Sequence, residues 1–439
     1  MGKQLQIFAQ EPSPQLDRSP LRIKRSGTFV DNMRLPVHRW FRYSAGFAAG
    51  WVQSVLREMR LSQDNLVLDP FVGSGTTLLS ADATRVRSIG IEAHPFVARI
   101  CQAKMYWSAD SNEFAKRAKL ILERAVSSSM DSSQYPELIT RCYSASALNQ
   151  LDRLKLMWNA SADGTAASEL VWLAITAILR PTSSVGTAQW QYILPNKKKK
   201  QTLEPFEAFL SQIRIMEEDM MQAQEEQDFS FAQVLSADAR RCDQIENSSV
   251  DVVITSPPYA NNYDYADATR FEMSFWGEVK SWGDLHDAVR KNLIISSSQH
   301  ASIERVDLDE VLAREIVAPI RNDLQEVCRR LSAERLLHGG KKHYHTMIPS
   351  YFADLGEIWN ELRRVCKKTA IAHFVIGDSA PYGVYIPVHD WLGQLALASG
   401  FNSYSFTKLR DRNIKWKNRK HRVPLQEGIL TVTGEPESD

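Results

Sequence analysis

The chain has 439 residues, 44% of them hydrophobic and 24% charged, a balance that excludes a disordered or fibrous protein and leaves room for one large domain with an insertion, or for two domains. Its 53 basic and 52 acidic residues leave a net charge of +1, so any attraction for nucleic acid has to be local, at the basic clusters 197–200, 341–345 and 410–422. The longest apolar run, at 170–179, falls well short of the roughly 20 residues of a bilayer span, and the polar start lacks a signal-peptide core, so a cytoplasmic protein without membrane contact is expected.

Residues 1–35, rich in Pro, Ser, Gln and Arg without periodicity, read as a flexible arm. Apolar positions over 38–59 fall at helical spacing and predict a helix before the first strand. NLVLD (65–69) then reads as a strand, TTLLSADATR as the start of a helix, and SIGIE (88–92) as a second strand. Together they form a βαβ unit whose crossover should be right-handed. Helical patterns dominate 101–229, read as an insertion and a candidate target-recognition region. Strand signals return at 231–238, at VDVVIT (250–255), at TAIAHFVIGD (369–378) and at GILTVTG (428–434), with mostly helical sequence over 266–350. Strands alternating with helices predict an α/β fold, a Rossmann-like, mostly parallel sheet covered on both faces. The catalytic domain is expected from 36–100 and 230–439.

Ligands of an open α/β sheet bind beyond the carboxyl ends of its strands. The first turn there is DPFVGSGTT (69–77). Gly73 and Gly75 let the backbone approach a ligand, but position 78 is Leu and no Gly-Lys-Ser/Thr follows, so neither a dinucleotide fingerprint nor a P-loop is present. Glu92, at the end of the next strand, is placed to accept hydrogen bonds from a ribose diol, which favours a nucleoside. A second constellation, TSPPYANNYDY (255–265), directly follows VDVVIT. Its prolines stiffen the turn, so that a carbonyl and the Ser256 hydroxyl converge on one small amino group. Tyr259 offers a flat face on which an extruded base can stack. Five cysteines show no CxxC pair and no nearby His at ligand spacing, so no disulfide framework and no metal site are expected.

DPFVGSGTT, GIE and TSPPY together resemble the amino-methylating (N4-cytosine/N6-adenine) DNA methyltransferases. The resemblance implies S-adenosyl-L-methionine as cofactor, bound by the turn Asp69, Pro70, Phe71, Gly73, Ser74, Gly75 and Thr76, with Glu92 on the ribose and Asp238 at the adenine ring. It implies Ser256, Pro257, Pro258 and Tyr259 as the catalytic motif. A serine in the first place is commoner among N4-cytosine enzymes, so the expected reaction is methyl transfer to the N4 amine of a flipped cytosine, for restriction-modification or phage defence. The partners implied are double-stranded DNA and a cognate restriction or defence nuclease. C5-cytosine chemistry needs a Pro-Cys nucleophile, and no Pro-Cys dipeptide occurs. Phosphate contacts are expected from Lys341 and Lys342 and from the basic loop with Arg410, Arg412, Lys415, Trp416, Lys417, Arg419 and Lys420. The alternatives are an N6-adenine enzyme, an enzyme acting on RNA or a glutamine amide, and a non-catalytic DNA-recognition subunit of the same fold.

Overall fold

The computed structural model describes residues 29–43, 46–129, 133–187, 192–227, 229–260, 264–298, 306–412 and 423–435. 3₁₀ helices at Phe29–Arg34 and His38–Trp40 lead to helix α1 (Ala49–Glu58), strand β1 (Leu66–Asp69), helix α2 (Thr76–Asp82), strand β2 (Arg87–Ile91) and helix α3 (Pro95–Met105). Then come α4 (Ser111–Ser127), α5 (Glu137–Thr140), α6 (Ala145–Asn159), α7 (Ala166–Thr182), strands β3 (Val185–Thr187) and β4 (Ile193–Lys198), and α8 (Pro205–Glu226). The remainder is β5 (Ala232–Leu235), β6 (Val250–Thr255), α9 (Tyr265–Trp276), α10 (Leu285–Ala288), α11 (Leu308–Ala313), α12 (Arg321–Leu337), α13 (Tyr344–Val365), β7 (Cys366–Gly377), α14 (Val388–Ala398), β8 (Ser403–Arg412) and β9 (Leu425–Thr433).

Seven strands of the described chain form one sheet in the order β5-β2-β1-β6-β7-β9-β8. The first five are mutually parallel, while β9 is antiparallel to both β7 and β8. The chain winds outward from β1 through β2 to β5, then returns to place β6 on the other side of β1. The seam between β1 and β6 is therefore the point where winding reverses and a ligand crevice opens. Side-chain alternation covers both faces. Val67, Val252, Ile254 and Val375 join Val52 and Leu56 of α1 in one cluster. Leu68, Val253, Phe374 and Ile376 join Trp359 and Leu362 of α13 and Trp391 of α14 in another.

Two expectations need correction. The arm was expected to reach residue 35, yet the described chain starts at Phe29. Asn32 is buried, its amide donating to Phe47 O at 2.9 Å and its oxygen accepting from Ala49 N at 2.9 Å. Residues 38–59 were expected to be one helix, but only Ala49–Glu58 is helical. The preceding strap is claimed by a distant partner, because Asp219 of α8 accepts from Val37 N, the Arg39 guanidinium and the Trp40 indole.

Residues 101–229 fold into helices and the antiparallel β3–β4 pair, where only helices were expected, and share one core with the strap, α3 and α9. Helix α7, buried through Leu170–Ile175, lies at its centre. Arg99 of α3 pairs with Glu169 at 2.8 Å and lies over the Trp172 ring at 4.1 Å. Arg180 pairs with Glu272 of α9. All five cysteines are buried thiols. Among the described residues no helix is long and apolar enough to cross a membrane, and no group of three or more His, Cys, Asp or Glu is placed to hold a metal ion.

Candidate active site

Asp69 closes β1 and is 1% exposed. Its carboxylate accepts from the Thr77 hydroxyl at 2.6 Å, the Thr255 hydroxyl at 2.5 Å and Phe71 N at 3.0 Å. It therefore shapes the glycine turn and fastens it to the end of β6 without lining the cavity. Burial pushes this carboxyl up to about 6, against the pull of those three donors. The turn needs glycine at two places. Gly73 and Gly75 have φ of 54° and 92°, and a Cβ would stand 3.1 Å from the Tyr43 ring in one case and 3.1 Å from Cys101 Sγ in the other. Gly73 N donates to Glu92 Oε2 and His94 N to Glu92 Oε1, each at 2.9 Å, so the acid after β2 is held open-faced at the turn. Burial pushes the Glu92 carboxyl up to about 7.

A cavity of about 800 Å³, measured out to its open mouth, lies between the turn and the end of β6. Pro70, Phe71, Gly73, Ser74, Thr76, Glu92, Asp238, Ser256 and Pro258 all line it, whereas Asp69, Gly75, Pro257 and Tyr259 lie behind that lining. Among the described residues its charged lining is two carboxylates, Glu92 and Asp238, with no lysine or arginine. Such a wall offers acceptors to hydroxyl and amino groups and no described cation to a phosphate, so the residues present fit a nucleoside cofactor such as S-adenosylmethionine.

The diproline turn leaves β6 beside this cavity. Ser256 donates to Val375 O of β7 at 3.1 Å. Because its one proton is committed there, the serine oxygen keeps its lone pairs to accept. Tyr351 of α13 donates to Pro258 O at 2.9 Å, and the Tyr265 hydroxyl bonds the Tyr259 backbone. The turn is thus pinned from two helices. One face of the Tyr259 ring is covered by the Arg412 guanidinium, 4.8 Å from its centroid.

The residues expected to hold DNA phosphates scatter. Lys341 and Lys342 are exposed in the turn before α13. Arg410 and Arg412 end β8 rather than opening a loop. Arg410 pairs with Glu427 at 2.7 Å, and Arg412 is 12% exposed, donating to Asp378 O at 2.6 Å. Lys415, Trp416, Lys417, Arg419 and Lys420 lie outside the described residues.

Several lining residues had no motif to reveal them. Tyr43, Gly46 and Phe47 of the strap close one side of the cavity, and Asn292, Leu293, Ile294 and Ser296 another. The latter loop is set by Ile295 N donating to Asp354 at 2.8 Å. Asp354 in turn accepts from Arg240 at 2.9 Å, whose guanidinium also grips Asp238 at 2.7 Å. Arg240, two residues after Asp238 in SADARR, was the one legible hint of that network.

Residues 36–103 match the profile of the N6/N4 methyltransferase family described as DNA methylase. The chain is 26% identical over 431 residues to the Type II methyltransferase M.BsoBI of Geobacillus stearothermophilus, an alignment covering 88% of this chain and 82% of that one. It is 22% identical over 409 residues to the Type II methyltransferases M.AvaI of Nostoc sp. and of Anabaena variabilis, covering 85% of this chain and 81% of each. The glycine turn and the diproline turn meet across the β1–β6 seam, and over most of its length the chain is similar to amino-methylating, S-adenosylmethionine-dependent DNA methyltransferases.

Proposed function

We propose that the protein methylates the exocyclic N4 amine of a cytosine extruded from double-stranded DNA at a specific sequence. The observation that carries this reading is the Ser256 hydroxyl, with its proton tied to Val375 O and an acceptor lone pair left at the wall of a cavity that also holds Gly73 and Glu92. An exocyclic amine is a poor nucleophile because its lone pair is delocalised into the ring. Ser256 Oγ and the Pro257 carbonyl, to which no described residue donates, would accept its two N–H bonds and turn the lone pair out of the ring plane. S-adenosylmethionine, when bound, supplies the electrophilic methyl. Gly73, Glu92 and the strap hold the partners in line, so that proximity replaces a covalent enzyme intermediate. Tyr259 would supply the ring on which the extruded base stacks. Serine at the head of the motif favours cytosine N4 over adenine N6. The Type II designation of the relatives supports a role as the modification partner of a restriction nuclease.

Mass spectrometry of nucleosides from DNA treated with the protein and cofactor tests the reading. N4-methyldeoxycytidine is expected. N6-methyldeoxyadenosine would move the acceptor to adenine, and cofactor binding with no label transferred to any DNA would leave a recognition subunit.

A further inference from the structure

Helix α13 runs directly into β7, which is parallel to β6. Its first turns, and the α12–α13 connection ahead of them, therefore lie at the same edge of the sheet as the diproline turn. This placement is fixed by the Tyr351 hydroxyl on Pro258 O and by the Tyr382 ring, which follows β7 and packs against His338 at 4.4 Å and Tyr344 at 4.8 Å. On this rim stand Leu336 and Leu337, 75% and 78% exposed, the most solvent-exposed large hydrophobic side chains among the described residues. Two adjacent bare leucines beside an active site are uncommon without something to cover them.

The turn that presents them is rigidly specified. Gly339 and Gly340 have φ of 76° and 71°, and Gly340 N closes the helix onto Arg335 O at 3.0 Å, the bond of a glycine-terminated helix end. A Cβ added at either glycine would meet no atom within 4 Å, so the connection projects clear of the protein. Lys341 and Lys342 follow at once, both exposed and neither in an ion pair with a described residue. An apolar tip flanked by cations matches DNA, whose base stack is apolar and whose edges are phosphate.

We propose that the α12–α13 turn enters the DNA at the target site. Leu336 and Leu337 fill the gap that the extruded base leaves in the stack, while Lys341 and Lys342 grip the flanking phosphates. This rests on the base-extrusion reading above. Extrusion opens an apolar void in the duplex, and the side chains that occupy it set how easily the base leaves.

The full-length L336S/L337S protein tests the proposal, since both leucines are exposed and its thermal unfolding should match the parent. On a duplex oligonucleotide carrying the mapped site, kcat/KM should fall about tenfold or more, with little change on the same strand paired to an abasic position opposite the target, where the stack is already broken. The fluorescence of 2-aminopurine placed at the target should fall in parallel, and this readout needs no methyl transfer. Unchanged duplex activity, an equal loss on both substrates, or conversion of a parent dimer to a monomer by the double substitution would each overturn the proposal, the last by assigning the leucines to a second copy. A parent protein that extrudes 2-aminopurine through these leucines but transfers no methyl would sink the catalytic reading and leave this one standing.

Discussion

The Thr255 hydroxyl lies 2.5 Å from the Asp69 carboxylate, joining the last residue of β6 to the last of β1 across a seam where only Val67 with Val252 and Leu68 with Val253 are in register. So short a pairing leaves the relative position of the two ligand-binding turns to this side-chain bond. Burial holds the Asp69 carboxyl at about 6, above its ordinary 3.8. The folded protein therefore binds the extra proton between those values, and stability falls as pH rises through that window. Thr255→Val removes a donor to the ionised form. It should cost about 1–3 kcal/mol above about pH 7 and less near pH 5, where the acid is protonated. Urea unfolding at both pH values, alone and with Asp69→Asn, checks this. A penalty independent of pH and of residue 69 would show that the bond carries no weight.

Glu92 gives a second pH dependence of opposite sense, in binding rather than folding. Its carboxyl sits at about 7 because burial outweighs the backbone donors at Gly73 and His94. Ribose hydroxyls donating to it favour the ionised form, so cofactor binding should release a proton and tighten as pH rises toward 7, up to about tenfold per unit below the pKa, and level off above it. Calorimetric titration with S-adenosylmethionine between about pH 5.5 and 8.5 reads this directly. Glu92→Gln should flatten the profile and weaken binding. A sloping profile that survives the substitution would assign the proton to another group.

The sheet was legible because its central strands are buried on both faces and so read as unbroken apolar runs; β6 begins and ends where VDVVIT does. The strap before α1 was not. Trp40 and Tyr43 go to one core and Phe47 to another, and the partner that fixes them, Asp219, is some 180 residues away. Helical spacing of apolar residues is all that a local window can see there. The surroundings of Arg410 and Arg412 were hidden for a related reason. Within RDRNIKWKNRKHR they look like solvent-facing charge, yet Arg410 stands opposite Glu427 in the β8–β9 register, a carboxylate that no reading of the basic run alone would supply. Tyr351 and Asn292 carry no motif at all and enter the site through tertiary packing.

Ser256 and Tyr351 touch the same turn and should fail differently. Ser256→Ala removes an acceptor aimed at the reacting amine and should lower kcat by about 10- to 1000-fold, with cofactor affinity unchanged. Tyr351→Phe removes only the donor to Pro258 O. As a positioning residue it should lower kcat by about tenfold or less, leave KM for cofactor alone, and cost about 1–3 kcal/mol of stability for the carbonyl left unpaired. Single-turnover transfer of labelled methyl separates the two. Full turnover in Ser256→Ala would remove that hydroxyl from the chemistry.

Arg412 was expected on a DNA phosphate, and its surroundings point elsewhere. The guanidinium lies over Tyr259, donates to Asp378 O and stands 3.9 Å from Glu427. Its charge is used to seat the ring on which the base would stack, a site where the planar fork matters more than the charge. Arg412→Ala should therefore lower kcat/KM by about ten- to a hundredfold while leaving the salt dependence of DNA binding unchanged, and Arg412→Lys should fail to restore activity. Replacing Lys341 and Lys342 should do the reverse, lowering the slope of log K against log salt by about one for each phosphate no longer gripped. Measured side by side, the two variants separate a ring-holding cation from a phosphate-holding one. A slope that drops by about one in Arg412→Ala would put its guanidinium on the DNA backbone after all.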